Sequence, residues 1–171
     1  MPEKVLETPY PVLDIDPHFS RVVRYFRASD YATWAATTLA VPGALLAWVG
    51  NAIQIVTRRM VTGMKVAAFL GFCGGFMLAY QNSSMRFYGW TENKREEEMD
   101  YAELSQRAKE GKSLYGESHQ SPWVQGAAHR NSVFSQLKFS AFPMFNFVNH
   151  PHHGVDASKY GVKEEAKSED S

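Results

Sequence analysis

The chain has 171 residues, 18 basic against 18 acidic side chains, a pI near 7.0 and a mean hydropathy of −0.34. Neutrality excludes the basic footprint of a nucleic-acid binder, and a lone cysteine, Cys73, excludes an internal disulfide and any cysteine-based metal motif. The length fits about one domain, but these averages conceal a very apolar block between polar flanks.

Residues 1–16 are punctuated by Pro2, Pro9 and Pro11 and carry Glu3, Glu7 and Asp14. They read as an extended arm with neither an apolar signal core nor an Arg/Ser-rich presequence, which implies a mature form or internal targeting. Asp16-Pro17 is a helix-start signal, since Asp caps free N–H groups and Pro at the first position wastes no donor. Phe19, Val22, Val23 and Phe26 then share one apolar face, while Arg21, Arg24 and Arg27 occupy much of the remainder. The pattern predicts a short basic amphipathic helix, lying among lipid headgroups or packed on neighbouring protein.

Ser29 and Asp30 offer caps for the next segment, an uncharged run from Tyr31 to Thr57. A second uncharged run extends from Val66 to Met85, after a bend centred on Arg58 and Arg59. At about 1.5 Å per residue, either run crosses a hydrocarbon core of roughly 30 Å as a helix. A soluble fold would have to bury both on all sides, and the charged or Pro-broken remainder cannot wrap them. Trp34 and Trp48 stand toward opposite ends of the first span, and Pro42-Gly43 should loosen it. Asn51 and Gln54 share a face near the bend, where water, headgroups or a partner helix would satisfy their amides. Ala67, Gly71 and Gly75 form a ridge of small residues at four-residue spacing in the second span. Gly43, Ala47 and Gly50 give the first a comparable ridge, so the two spans can approach closely. Basic residues outside the spans (Arg21, Arg24, Arg27, Arg86, Lys94, Arg95) outnumber those at the bend (Arg58, Arg59, Lys65), which places both termini on the cytoplasm-like side.

Beyond Gln81 a charged helix is expected over Lys94–Lys109, ending at Gly111, with one favourable pair between Glu103 and Arg107. Glu96, Glu97 and Glu98 read as a solvated face. A Gly/Ser/His-containing loop is expected over 111–132. Phe134, Phe139, Phe142, Phe145 and Phe147 come next without helical or strand period, interrupted by Pro143. This segment is expected to be extended, folding back on the chain or lying along another subunit. Gly161 to Ser171 is polar and expected to be disordered.

The search for chemistry yields one cluster, His150, His152 and His153 in Asn149-His150-Pro151-His152-His153-Gly154. Imidazoles this close can share a metal, yet only Asp156 is nearby to extend the ligand set. Pro151 and Gly154 favour a turn in which the histidines make ordinary hydrogen bonds. The role of these three residues stays open at this point, and no catalytic, cofactor-binding or metal residue is assigned. No phosphate loop, dinucleotide fingerprint or nucleophile elbow occurs, and no Asp, Glu, Arg or His lies at mid-depth in the spans to form a proton relay.

Two strings carry a resemblance. Phe19-Ser20-Arg21-Val22-Val23-Arg24-Tyr25-Phe26-Arg27-Ala28-Ser29-Asp30-Tyr31 leads into the spans. Arg130-Asn131-Ser132 and then Gln136-Leu137-Lys138-Phe139-Ser140-Ala141-Phe142-Pro143-Met144-Phe145-Asn146-Phe147 run on into the His-rich turn. Together they resemble the fungal-type 21 kDa accessory subunit family of mitochondrial NADH:ubiquinone oxidoreductase, respiratory complex I. The resemblance covers about three quarters of the chain. It implies the mitochondrial inner membrane, where the side that the basic residues assign to both termini of this multi-pass chain is the matrix. It further implies a supernumerary, non-catalytic role in assembly and stability of the membrane arm, with no cofactor. Core membrane-arm and neighbouring accessory subunits would be its partners, together with membrane lipids, anionic ones included.

The fold class expected is therefore mainly α and membrane-bound: a two-helix transmembrane hairpin with an N-terminal amphipathic helix and an extended, aromatic-rich C-terminal segment. Its parts are 1–28 (arm and amphipathic helix), 29–85 (hairpin, spans at about 31–57 and 62–82), 86–160 (extramembrane helix and docking segment) and 161–171 (tail). The competing function class is a free-standing small inner-membrane transport or assembly factor.

Overall fold

The computed structural model describes residues 7–50, 58–138 and 145–161, and every helix or strand among them is a helix. In chain order these are α1 (Phe19–Arg24), α2 (Ala28–Gly50), α3 (Arg58–Phe87), α4 (Lys94–Lys109), α5 (Pro122–Ser132) and α6 (Ser135–Lys138), followed by a 3₁₀ turn at Ala157–Tyr160. The chain divides into two compact units. One is Val22–Ser83; the other joins Met1–Arg21 to Ser84–Ser171.

The unit Val22–Ser83 holds α2 and most of α3. Both helices are long and apolar enough to cross a membrane, and only 6% and 17% of the residues in their most apolar stretches are buried. The core helices of a soluble protein would be mostly buried. Large apolar side chains such as Leu39, Trp48, Phe69 and Leu70 are exposed instead, which suits a lipid surround. Asp30 is the third residue of α2 and reaches back to accept from the Arg27 N–H at 2.7 Å, rather than preceding the helix as a cap. The α2 helix runs unbroken through Pro42.

The two helices meet along small residues. Ala67, Gly71, Gly75, Ala79 and Ser83, each four apart on α3, are all buried. A Cβ on Gly71 would lie 2.9 Å from the Thr37 carbonyl oxygen, and one on Gly75 would lie 2.7 Å from that of Trp34. Trp34 Nε1 donates to the Phe72 carbonyl at 2.9 Å. The expected ridge on α3 is thus in contact, whereas Gly43 and Ala47 of its proposed counterpart on α2 are exposed, and nothing lies within 4 Å of where a Gly43 Cβ would be. Trp34, Thr37 and Thr38 receive the α3 glycines instead. The Thr37 and Thr38 hydroxyls donate to carbonyls one turn back on their own helix, which leaves their carbon faces for packing. The residues expected to form a bend, Arg58 to Val61, belong to α3. Asn51 and Gln54 lie outside the described residues.

The other unit is built from both ends of the chain. Residues 10–16 run without helix, and the Leu13 N–H and the Asp14 N–H both donate to the Phe87 carbonyl, at 2.9 and 3.2 Å. Gly89 is left-handed at φ +75, and a Cβ there would come 2.4 Å from the Tyr10 carbonyl oxygen, so the tight exit from α3 requires glycine. Three expectations change in this unit. Asp16-Pro17 does not start a helix; α1 begins at Phe19, and the His18 imidazole caps it by accepting from the Ser20 N–H at 3.2 Å. Glu96 is not solvated but fully buried, ion-paired at 3.3 Å with Arg86. The loop expected over 111–132 contains α5, with Ser121 accepting from the Val124 N–H and Pro122 in the first turn. The charged helix α4 and its Glu103–Arg107 pair (3.5 Å) form as expected.

Candidate functional site: a clasp of buried acids and histidines

Two acids at alternate positions of the N-terminal arm, Asp14 and Asp16, organise the polar unit. Ile15 and Asp16 lie in a bend, which the Asp14 side chain closes by accepting from the Asp16 N–H. Asp14 is fully buried: Oδ1 accepts from the Asp16 N–H at 2.9 Å and lies 2.8 Å from His153 Nδ1, while Oδ2 pairs with Arg21 at 2.9 Å. Arg21 continues to Asp100 on α4, and Asp100 also accepts from the Tyr160 hydroxyl at 2.6 Å. The Arg21 guanidinium lies over the rings of Phe87 and Tyr115, at 5.5 and 5.4 Å. Arg21 therefore turns to protein and not to headgroups, one of the two settings left open for its helix. It is 7% exposed and joins the arm to α4.

Asp16 Oδ2 gathers three partners: His150 Nε2 at 2.8 Å, Ser132 Oγ at 2.7 Å and His129 Nδ1 at 3.1 Å. The Asp16 carbonyl accepts from the Asn146 amide at 3.1 Å, and Phe19 N–H donates to the Asn146 carbonyl at 2.7 Å. His153 stacks on Tyr115 (3.6 Å between ring centres) and on His150 (4.7 Å). Its Nε2 sits 2.7 Å from the His150 carbonyl oxygen, so with Asp14 on the other side both ring nitrogens face acceptors. Gly154 closes the turn at φ +69, because a Cβ there would sit 2.7 Å from Ile15. Burial, aided by the Asp14 charge, pushes the Tyr115 hydroxyl up to about 12. Burial also raises Tyr88 and lowers His18.

The His-rich turn is thus brought to two acids more than 130 residues away. Of the three histidines singled out, His150 and His153 are buried in the clasp and His152 is exposed. Asp156 does not join them; it caps the 3₁₀ turn by accepting from the Ser158 N–H at 2.9 Å. Asp14, Asp16 and His129 carried no local signal that could reveal their part.

Ligand atoms of Asp16, His129 and His150 lie within 4.8 Å of one another, near enough to share a metal. The donor directions suit hydrogen bonding better. His150 Nδ1 accepts from the His152 N–H at 3.1 Å, which leaves the proton on Nε2, facing Asp16. Coordination through Nε2 would move that proton to Nδ1, against the N–H already pointing there. The Asn146 amide nitrogen, 3.0 Å from Nε2, is a further donor where a cation would have to sit.

The aromatic segment is also partly internal. Phe19 packs on Phe145 and Phe147 (5.3 and 5.0 Å between ring centres), and Phe134 packs on Tyr88 at 5.2 Å. Phe139 and Phe142 lie outside the described residues.

Comparison with known proteins matches the sequence along nearly the whole chain. Residues 7–92 match the family model for the NADH-ubiquinone oxidoreductase complex I 21 kDa subunit, and residues 101–171 match that for the C-terminal part of the same subunit. The NADH-ubiquinone oxidoreductase 20.9 kDa subunit of Neurospora crassa is 44% identical over 167 residues, covering 97% of this chain and 88% of the relative. The chain belongs to the 21 kDa subunit family of NADH-ubiquinone oxidoreductase, complex I.

Proposed function

We infer that the chain is a non-catalytic accessory subunit of the membrane arm of respiratory complex I, in the mitochondrial inner membrane, where it supports assembly and stability. The observation that carries this is the match to the family across both ends of the chain. The chemistry agrees: the Asp14 and Asp16 carboxylates are engaged by Arg21, His129, His150, His153 and Ser132 within one clasp, and the apolar helices carry no mid-depth acid. The clasp reads as a structural staple, without catalytic, cofactor or metal residues.

The helices α2 and α3 form a transmembrane hairpin in this reading. The grouping of Met1–Arg21 with Ser84–Ser171 in one unit supports this reading, in which the segments before and after the hairpin share a side of the membrane. The basic excess outside the hairpin assigns that side to the matrix. Arg21 and Arg86 count toward that excess although they are buried after folding, because the rule acts on the chain as it inserts. Core and neighbouring accessory subunits then cover the remaining exposed rings, such as Trp123 and Phe147.

Blue-native gels of gently solubilised mitochondrial membranes test the reading. The chain should co-migrate with the megadalton complex; recovery solely in a low-mass pool would overturn it and favour a free-standing membrane factor.

A further inference from the structure

The two stacked histidines of the clasp differ in how their rings are met. A neutral imidazole offers one donor and one acceptor. His150 is matched to that form: Nε2 faces the Asp16 carboxylate at 2.8 Å, and Nδ1 accepts from the His152 N–H at 3.1 Å. His153 is not. Its Nδ1 lies 2.8 Å from Asp14 Oδ1 and its Nε2 lies 2.7 Å from the His150 carbonyl oxygen, so both nitrogens meet oxygens. A neutral ring would press a lone pair against an acceptor at one of these contacts. The carbonyl has no proton to give, and Asp14 is met as a carboxylate: Oδ1 accepts from the Asp16 N–H at 2.9 Å and Oδ2 pairs with Arg21 at 2.9 Å. Both contacts are satisfied together only when the ring carries two protons.

The surroundings suit one positive charge at this point. The arm brings Asp14 against the ring and Asp16 behind His150, while His18 stays unprotonated as the cap of α1. Helix α1 contributes Arg21, shared between Asp14 and Asp100 of α4. The segment after α4 lays the uncharged Tyr115 ring on His153, and an aromatic face attracts a cation. Helix α5 contributes His129, which reaches Asp16, and the turn itself adds neutral His150 and exposed His152. We propose that the clasp is a proton-locked latch: His153 holds both ring protons while the His-rich turn is seated on the arm, and losing one of them unseats the turn. An unseated ring gives up its second proton in the ordinary imidazole range, about 6.5. The stability from this contact is therefore full on the acid side and is lost as pH rises. The His18 cap acts in the opposite direction, failing as pH falls. All these groups belong to one compact unit, so the latch is independent of the membrane and of membership in a larger complex.

Nitrogen NMR of the full chain in mild detergent, with isotope-labelled histidine, reads the protons directly. At about pH 8, where an ordinary imidazole has shed its second proton, His153 should show two protonated ring nitrogens and His150 one. A bare nitrogen on His153 would overturn the proposal. Amide exchange reads the seat itself, because the Ile15 N–H donates to the His153 carbonyl at 3.1 Å. Above neutral pH, Ile15 protection should fall about tenfold per pH unit, the dependence of one released proton. His153→Gln cannot titrate, so its Ile15 protection should be weaker but constant over the same range. Constant protection in the wild-type chain, or the same tenfold fall in the variant, would also overturn the latch. The ring signals need no variant, so they decide the matter even where His153→Gln leaves the turn unseated.

Discussion

Gly75 gives the sharpest handle on how the apolar helices meet. A methyl group at this position would stand 2.7 Å from the Trp34 carbonyl oxygen and 3.0 Å from Trp34 Cδ1, against about 3.4 Å for ordinary contact. The obstacle is backbone on α2, which cannot rotate away, so the helices must part locally by about 0.7 Å. Overpacking of this kind costs about 1–3 kcal/mol. In the opposite sense, Ala is favoured over Gly within a helix by about 1 kcal/mol. Gly74 supplies the control, since nothing lies within 4 Å of its Cβ position and the propensity term is the same. The difference between Gly75→Ala and Gly74→Ala therefore isolates the contact, and it should be about 1–3 kcal/mol. Gly75→Leu should go further and break the Trp34–Phe72 hydrogen bond, worth roughly 0.6–2 kcal/mol between membrane helices. Equilibrium SDS titration of the full chain in mild-detergent micelles, read by fluorescence of a variant retaining Trp34 alone, measures these differences. Equal midpoints for the two alanine variants would refute the close approach at Gly75.

Other expectations concern the clasp. Asp14→Ala removes one of the two acids that hold Arg21 and the carboxylate partner of His153, so the polar unit should lose about 1–3 kcal/mol, seen as faster proteolysis between α4 and α5 with the apolar helices still protected. Removing residues 133–171 deletes Asn146, His150 and His153; the truncated chain should insert normally but be lost from the complex in detergent, and wild-type retention would contradict the clasp. Burial lowers the pKa of His18, whose ring nitrogen must stay unprotonated to cap α1. The unfolded chain therefore binds that proton more readily, and the unit should lose stability as pH falls through the unfolded value near 6.5. His18→Asn, which can cap without titrating, should flatten that limb of a thermal-unfolding profile, and an unchanged profile would acquit His18.

The two long apolar helices were legible because length and unbroken hydrophobicity are local properties, readable one residue at a time. So was the glycine ridge of α3. Its partner surface was misread because small residues signal where helices can approach, while the choice of facing side depends on rotation about the axis; Gly43 turned outward and Thr37 inward. The clasp was invisible for a different reason. Asp14 looks like an ordinary polar arm residue and Asp16 like a helix cap, and only contacts spanning more than 130 positions make them partners of the His-rich turn. Glu96 likewise belongs to an acidic run that resembles a solvated face, and its burial depends on Arg86 arriving from the end of α3. Helix α5 did leave a local sign, Ser121-Pro122, which composition rich in Gly, Ser and His outweighed.

Support of complex I without a part in its chemistry is the role proposed for this chain. NADH:ubiquinone turnover per assembled complex, measured in cells lacking the chain against cells restored with it, tests that role most directly. The expected result is less assembled complex but unchanged turnover for each complex that remains. A normal amount of complex with turnover lost would contradict it.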